Sequence, residues 1–187
     1  MTWLFWVSYG ALWLLAIVVA FALLIMLREH ADVMVATTEG RSRLHGPAEG
    51  IVAPTLPSRH LAGGDVDVGR PMIVVFLSVT CQPCWERRTL ISSFATDEGA
   101  RINTVACCSG SADAVGEFAS GLGDAVTVLL DEDGMTAVRW RVFMTPFAVG
   151  LDYEGRVIGK LGNPGYDNLL LLARRLVADR SNGEDSA

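Results

Sequence analysis

The run Met72-Ile73-Val74-Val75-Phe76-Leu77-Ser78 restricts more than any other what this chain can become. Its β-branched and aromatic residues favour a strand, yet no polar side chain recurs at alternate positions, so both of its faces are apolar. Such a strand is stable only when both faces are covered, which places it centrally in a sheet with helices on either side. Short apolar runs and helical segments alternate around it, the pattern of an α/β domain. Strands are expected around Asp65 to Val68 and at Met72 to Ser78, Ile102 to Cys107, Val126 to Leu130, Phe147 to Leu151 and Arg156 to Lys160. Helices are expected at Pro83 to Phe94, Ala112 to Ser120, Met135 to Trp140 and Tyr166 to Ala178. In the last of these Leu169, Leu172, Leu176 and Val177 form one stripe that packs onto the sheet. Asp152-Tyr153-Glu154-Gly155 reads as a hairpin turn between the final two strands.

Ahead of this domain, Trp3 to Leu27 holds no charged side chain and only Ser8, Tyr9 and Gly10 as interruptions. That is longer than the ~20 apolar residues needed to cross a bilayer. Trp3 and Trp6 fit the aromatic belt of a membrane interface. The alternative is a cleaved signal peptide, since Ala20-Phe21-Ala22 resembles a small-x-small cleavage site. No Lys or Arg precedes the apolar run, however, and five more apolar residues follow that site, which favours an uncleaved anchor in the lipid bilayer. Arg28, Arg41 and Arg43 lie just after the helix, and by the positive-inside rule they would keep the domain in the cytoplasm, although long domains are translocated regardless of flanking charge. Residues 28–50 are polar and mixed, with Gly40, Gly46, Pro47 and Gly50, and read as a tether whose root-mean-square reach, if flexible, is about 25 Å. The expected organisation is an anchor over 3–27, a flexible tether over 28–50, one domain over 51–178 and a disordered tail over 179–187. A net charge of −6, with no cluster of Lys and Arg, argues against nucleic acid as a partner.

The chemistry sits where the central strand ends. Val79-Thr80 follow it, and Cys81-Gln82-Pro83-Cys84 opens the next helix. At a helix N-terminus the free backbone N–H groups and the macrodipole favour a thiolate at Cys81. Cys84 is almost one turn further on, so its sulfur can meet that of Cys81. Pro83 is tolerated because the first turn does not need its N–H. Cys-x-x-Cys is also half of a zinc site, but Cys107-Cys108 are adjacent, a poor chelating spacing, and His30, His45 and His60 all lie upstream in or near the tether. The strand-to-helix context favours a redox pair, with no metal and no cofactor. Further on, Pro146 begins the apolar run Phe147-Ala148-Val149, where ordinary strand interiors reject proline.

Together these residues resemble the thioredoxin superfamily, and within it the membrane-anchored TlpA-like proteins and the methylamine utilisation protein MauD. The resemblance spans roughly residues 50–178. It rests on Ala53-Pro54 leading into a short hairpin, Phe76 to Cys84, Leu129-Leu130-Asp131 with Gly134, then Thr145-Pro146, Asp152, Gly155 and Val157 in the order such proteins show. It implies a thioredoxin-like fold, a central mixed sheet flanked by helices, behind one N-terminal transmembrane helix. It implies a cis bond between Thr145 and Pro146, lying against the cysteine pair and binding the backbone of a client. It also implies a domain on the outer side of the cytoplasmic membrane, and this is preferred here to the charge rule. The partners it implies are exported protein thiols or disulfides and a membrane redox partner that recycles the pair. Clients would be cysteine-rich exported enzyme subunits on the MauD side and cytochrome-maturation thiols on the TlpA side.

Two positions depart from the pattern. Thr80 stands where many thioredoxins have Trp, and Val75 where thioredoxin has a buried acid that helps move a proton from the resolving cysteine, so another group or water must serve. Cys107 and Cys108 end the next strand, at the edge where active sites gather; they are either a second thiol pair or small buried hydrophobes, the reading preferred here. Asp131-Glu132-Asp133-Gly134 lacks the calcium-loop pattern and reads as a solvated turn. The rival to an enzyme is a scaffold that keeps the fold without turnover, holding a metal through Cys81, Cys84 and the 107–108 pair.

Overall fold

The computed structural model describes residues 2–36, 44–63, 66 and 69–184. The chain divides into two units, residues 1–40 and 41–187. The first is a single helix, α1, Thr2–Ala36. Within it Phe5–Leu23 is long and apolar enough to cross a membrane, and none of that stretch is buried. The Ser8 hydroxyl donates to the Phe5 carbonyl at 3.0 Å, so this serine is satisfied within the helix. The helix runs past Leu27, so the first part of the segment read as tether is helical. Arg28 to Ala36 contains neither Gly nor Pro, and nothing in its propensities stops a helix already formed. Thr37 to Arg43 of the expected tether lie outside the described residues, as does most of the strand read around Asp65 to Val68.

The second unit comprises β1 (His60–Ala62), β2 (Met72–Ser78), α2 (Gln82–Glu98), β3 (Asn103–Ser109), α3 (Ala112–Ala119), β4 (Val126–Asp131), α4 (Met135–Arg139), β5 (Phe147–Leu151), β6 (Val157–Gly162) and α5 (Tyr166–Glu184). The six strands form one mixed sheet in the order β1-β4-β3-β2-β5-β6. β2, β3 and β4 are parallel, while β5 pairs antiparallel with β2 and β6 antiparallel with β5 on one side, and β1 pairs antiparallel with β4 on the other. The alternation of a strand divides β2 cleanly. Ile73, Val75 and Leu77 enter one cluster with Ile91 and Phe94 of α2, Phe118 of α3 and Leu169, Leu172 and Leu176 of α5. Val74 and Phe76 enter the other with Trp140, which follows α4, and with Val149 and Val157.

β1 escapes sequence reasoning because His60-Leu61-Ala62 carries no alternation; it exists because β4 offers a free edge, His60 standing opposite Leu129. Residues 44–50 belong to this unit and not to a tether. The Gly46 N–H donates to the Arg141 carbonyl and that of Gly50 to the Val157 carbonyl, each at 2.8 Å, and Lys160 Nζ donates to the His45 carbonyl at 2.9 Å. Gly46 has φ +77, and a Cβ there would meet the Phe147 ring at 2.9 Å, so glycine is required on both counts. α5 continues to Glu184, into the expected tail, because nothing before Gly183 breaks it.

The 131–134 turn is not simply solvated. Asp131 is buried, with Oδ1 accepting from the Thr136 N–H at 2.9 Å and Oδ2 from the Ala137 N–H at 3.1 Å, so its carboxylate caps α4. Glu132 beside it is exposed and makes a surface ion pair with Arg59 at 3.4 Å. Asp131→Ala leaves two N–H groups at the helix start without their acceptor and is expected to lower the unfolding free energy by about 2–3 kcal/mol. Glu132→Ala is expected to change it by less than about 1 kcal/mol. Urea denaturation of the full chain in detergent measures both.

Candidate active site

β2 delivers the chain to its C-terminal edge at Ser78, and a two-residue turn places Cys81 at the N-cap of α2 with an extended backbone, φ −95 and ψ 107. The Cys81 N–H donates back to the Ser78 carbonyl at 3.1 Å, and the Cys81 carbonyl accepts from Cys84 N–H at 3.0 Å, the first bond of the helical turn. Cys81 is half-buried, whereas Cys84, one turn inward, is fully buried among Leu77, Ile91 and Cys108. Burial, followed by a hydrogen bond with Cys81, pushes the Cys84 thiol up to about 12 against the opposing pull of the Ser78 backbone and the Thr145 side chain. Cys84 is therefore a neutral thiol at physiological pH.

Thr145 and Pro146 arrive at the same edge because β5 runs antiparallel to β2, with Phe147 opposite Phe76. β5 thus begins where β2 ends. The Thr145–Pro146 bond is cis, and the Cys81 thiol donates to the Thr145 carbonyl with Sγ 3.4 Å from the oxygen. The Pro146 carbonyl accepts from the Asn163 N–H at 2.9 Å, and Asn163 Oδ1 accepts from Arg87 Nε of α2 at 3.3 Å. Asn163 has φ +47, which asparagine tolerates better than most residues. Sequence reasoning passed over it. The signal was present in Gly162-Asn163-Pro164-Gly165, a turn sequence directly after the last strand.

No protein-family model and no curated protein matches the chain. Solved structures do match. A candidate thiol:disulfide interchange protein DsbE from Chlorobium tepidum shares 21% identity over 70% of this chain and 96% of its own, with a TM-score of 0.58. The thioredoxin domain of a thiol-disulfide oxidoreductase from Bacteroides vulgatus shares 17% over 70% and 99%, with a TM-score of 0.60. A secreted Mycobacterium tuberculosis disulfide oxidoreductase homologous to DsbE of Escherichia coli shares 24% over 58% and 83%, with a TM-score of 0.52. The chain has the thioredoxin fold.

In this thioredoxin fold the adjacent cysteines of β3 separate onto opposite faces. Cys108 stands beside Leu77 in the cluster that holds Cys84, and Cys107 stands beside Phe76 in the cluster that holds Trp140. A strand cannot present neighbouring side chains to one partner, so they form no second redox pair with each other. Burial pushes Cys108 up to about 12, with the nearby Cys84 adding to it, and burial followed by Asp131 raises Cys107 as well. Among the described residues no three His, Cys, Asp or Glu side chains converge to hold a metal ion. Val75 is fully buried in the same cluster as Cys84 and offers no proton acceptor. The Thr145 side chain is the polar side-chain group favouring ionised Cys84.

Burial makes two expectations. Iodoacetamide at pH 8 is expected to alkylate Cys81 alone in the folded, reduced protein, as read by mass spectrometry of its peptides. The unfolded chain releases the protons of Cys84 and Cys108 near the ordinary 9.0, whereas the folded chain keeps them to about 12. The stability they carry is intact below pH 9 and is lost as pH rises toward 12. The melting temperature of the reduced protein is expected to fall over that window, less steeply in Cys108→Ala.

Proposed function

We propose that this chain is a membrane-anchored thiol-disulfide oxidoreductase that exchanges disulfides with exported client proteins through Cys81 and Cys84. The observation that carries the proposal is the asymmetry of the pair: a half-buried sulfur at a helix N-terminus beside a fully buried thiol, with Cys81 bonded to the Thr145 carbonyl. Cys81 meets the client and Cys84 resolves. The Cys81 thiolate attacks one sulfur of a client disulfide; that S–S bond breaks, the other client sulfur leaves as thiolate and takes a proton, and a mixed disulfide forms. Cys84 then loses its proton and attacks Cys81 Sγ, which releases the second client thiol. The client gains two electrons and two protons, and the Cys81–Cys84 disulfide is the oxidised product. Run in reverse, the same steps oxidise a client.

Because Cys84 is held as a thiol, its proton must leave as it attacks. The first client thiolate released is a basic acceptor formed at that moment, and the Thr145 side chain favours the charge left on Cys84. Thr145 and Pro146 receive an extended segment of the client backbone, so recognition rests on main-chain contacts and accepts varied sequences. The clients are exported proteins, either cysteine-rich enzyme subunits or cytochrome-maturation thiols, and a membrane redox partner recycles the pair. No cofactor is required, since sulfur carries both electrons.

In this reading Trp3 to Leu27 is a single-pass anchor in the cytoplasmic membrane, and the folded domain, which takes in residues 44–50 and runs to the end of α5, works on the extracytoplasmic side. The exposed apolar surface of Phe5–Leu23 supports the anchor. Likeness to a secreted disulfide oxidoreductase supports the side.

Cys84→Ser is expected to accumulate mixed disulfides between Cys81 and clients on non-reducing gels, and Cys81→Ser to accumulate none. Trapping by Cys81→Ser alone would reverse the two roles. A membrane-impermeant thiol reagent on intact cells with an accessible outer face of the cytoplasmic membrane is expected to label reduced Cys81; labelling only after lysis would move the domain to the cytoplasm.

A further inference from the structure

Thr80 precedes Cys81, so the turn that presents the attacking sulfur has no aromatic side chain of its own. One reaches it from behind. Trp85, in the first turn of α2, directs its indole back toward the end of β2, and Nε1–H donates to the Val79 carbonyl at 2.8 Å. Val79 donates its own N–H to the Ser109 carbonyl at 3.2 Å, and Cys81 donates to the Ser78 carbonyl at 3.1 Å. The link Val79-Thr80-Cys81 is therefore held by the neighbouring strand, by the strand end and by the helix that follows.

Trp85 is itself braced. Phe118 of α3 meets its ring edge-on at 5.0 Å and 83°, and the Arg88 guanidinium lies 4.3 Å from the ring centroid. Arg88 also donates to the Phe118 carbonyl through Nη1 at 3.2 Å and to the Trp85 carbonyl through Nε at 3.3 Å. Gly121 makes room for this, because a Cβ there would stand 2.7 Å from Arg88 Nη1. The guanidinium thus sits between two rings and two carbonyls, an arrangement that fixes the indole rather than neutralising a charge.

We propose that Trp85, braced by Arg88, is a positioning residue that holds the Val79–Cys81 turn so that Cys81 stays within reach of Cys84, and thereby sets how readily the pair is oxidised. This rests on the oxidoreductase reading. Disulfide formation removes the freedom of Cys81 relative to Cys84, and a turn already held has less to lose. Without the indole bond the dithiol gains more freedom than the disulfide, whose covalent link still restrains the turn. The equilibrium with an external disulfide then moves toward the dithiol, and the protein becomes the stronger oxidant.

The test equilibrates the full chain, in detergent, with glutathione and glutathione disulfide at graded ratios; two glutathione thiols appear for each Cys81–Cys84 disulfide formed. Trp85→Phe keeps a ring between Arg88 and Phe118 and removes only the donor. Its equilibrium constant for oxidation is expected to fall about three- to tenfold, the range for one net hydrogen bond. At about 30 mV per tenfold for a two-electron couple, the potential rises by about 15–30 mV. Arg88→Leu is expected to shift it the same way by less, and adding it to Trp85→Phe to shift it little further, because Arg88 acts through the indole bond. In the unaltered protein the Trp85 indole N–H is expected to exchange with solvent more slowly in the disulfide form than in the dithiol form, the reciprocal of the same coupling. That measurement decides the matter if a variant fails to fold. Equal exchange in the two forms, an unchanged potential in a folded Trp85→Phe protein, or additive shifts in the double variant would overturn the proposal. If the unaltered protein shows no reversible two-electron titration, the oxidoreductase reading itself fails; a normal titration with unmoved variants defeats the positioning role alone.

Discussion

Burial of β2 on both faces is the constraint from which the rest of the structure follows. Ile73, Val75 and Leu77 need α2, α3 and α5 above them, and Val74 and Phe76 need Trp140 and the β5–β6 hairpin below. Meeting both demands makes β2 central, flanked by β3 on one side and β5 on the other. A central strand with a parallel neighbour and an antiparallel neighbour brings three chain segments to one edge: the turn after β2, the end of β3 and the entry to β5. Cys81, Cys108 and Thr145 are at those three places. The candidate active site is thus a consequence of how the core closes, with its residues supplied by strand ends that packing holds rigid.

The chemistry at that edge depends on a gradient of burial across a single helical turn. Cys81, at the N-cap, reaches solvent, and Cys84, one turn inward, sits among the apolar side chains that make β2 stable. The same packing that holds the sheet together therefore withholds the negative charge from the second sulfur. β2 carries no acidic residue, so none relieves that penalty from this strand. The two thiols of the pair differ by environment alone, since the side chains are chemically identical.

The supports around the pair come from distant parts of the chain and share a pattern. Trp85 and Arg88 tie the turn before Cys81 to α3, while Arg87 and Asn163 link α2 to the Pro146 carbonyl. Consecutive arginines on one helix thus point to the two lips of the site. Gly46, seated over Phe147 and bonded to Arg141, ties the chain segment that enters the domain to the base of the Pro146 strand. None of these contacts involves either sulfur of the pair.

The elements legible in the sequence were those whose signal is local. The run Met72 to Ser78, the Pro-initiated strand Phe147 to Leu151 and the Asp152–Gly155 turn each carry their information in their own periodicity or turn chemistry, and each forms where expected. The position of Cys81 and Cys84 at the opening of a helix after an apolar strand was equally readable, because both ends of that transition are written within a dozen residues. What tertiary structure alone decided is whatever depends on a partner far away in the chain. His60 to Ala62 is a strand only because β4 has an edge to offer, and residues 44–50 are ordered only because Arg141, Val157 and Lys160 stand where they can bond to them. Asp131 caps a helix because burial turned it inward, and Cys107 and Cys108, adjacent in sequence, were separated by the two faces of one strand. The indole of Trp85 is equally unreadable in advance: whether a tryptophan after the motif points to solvent or back to Val79 is settled by Phe118 and Arg88, which meet only after the sheet and its helices have packed.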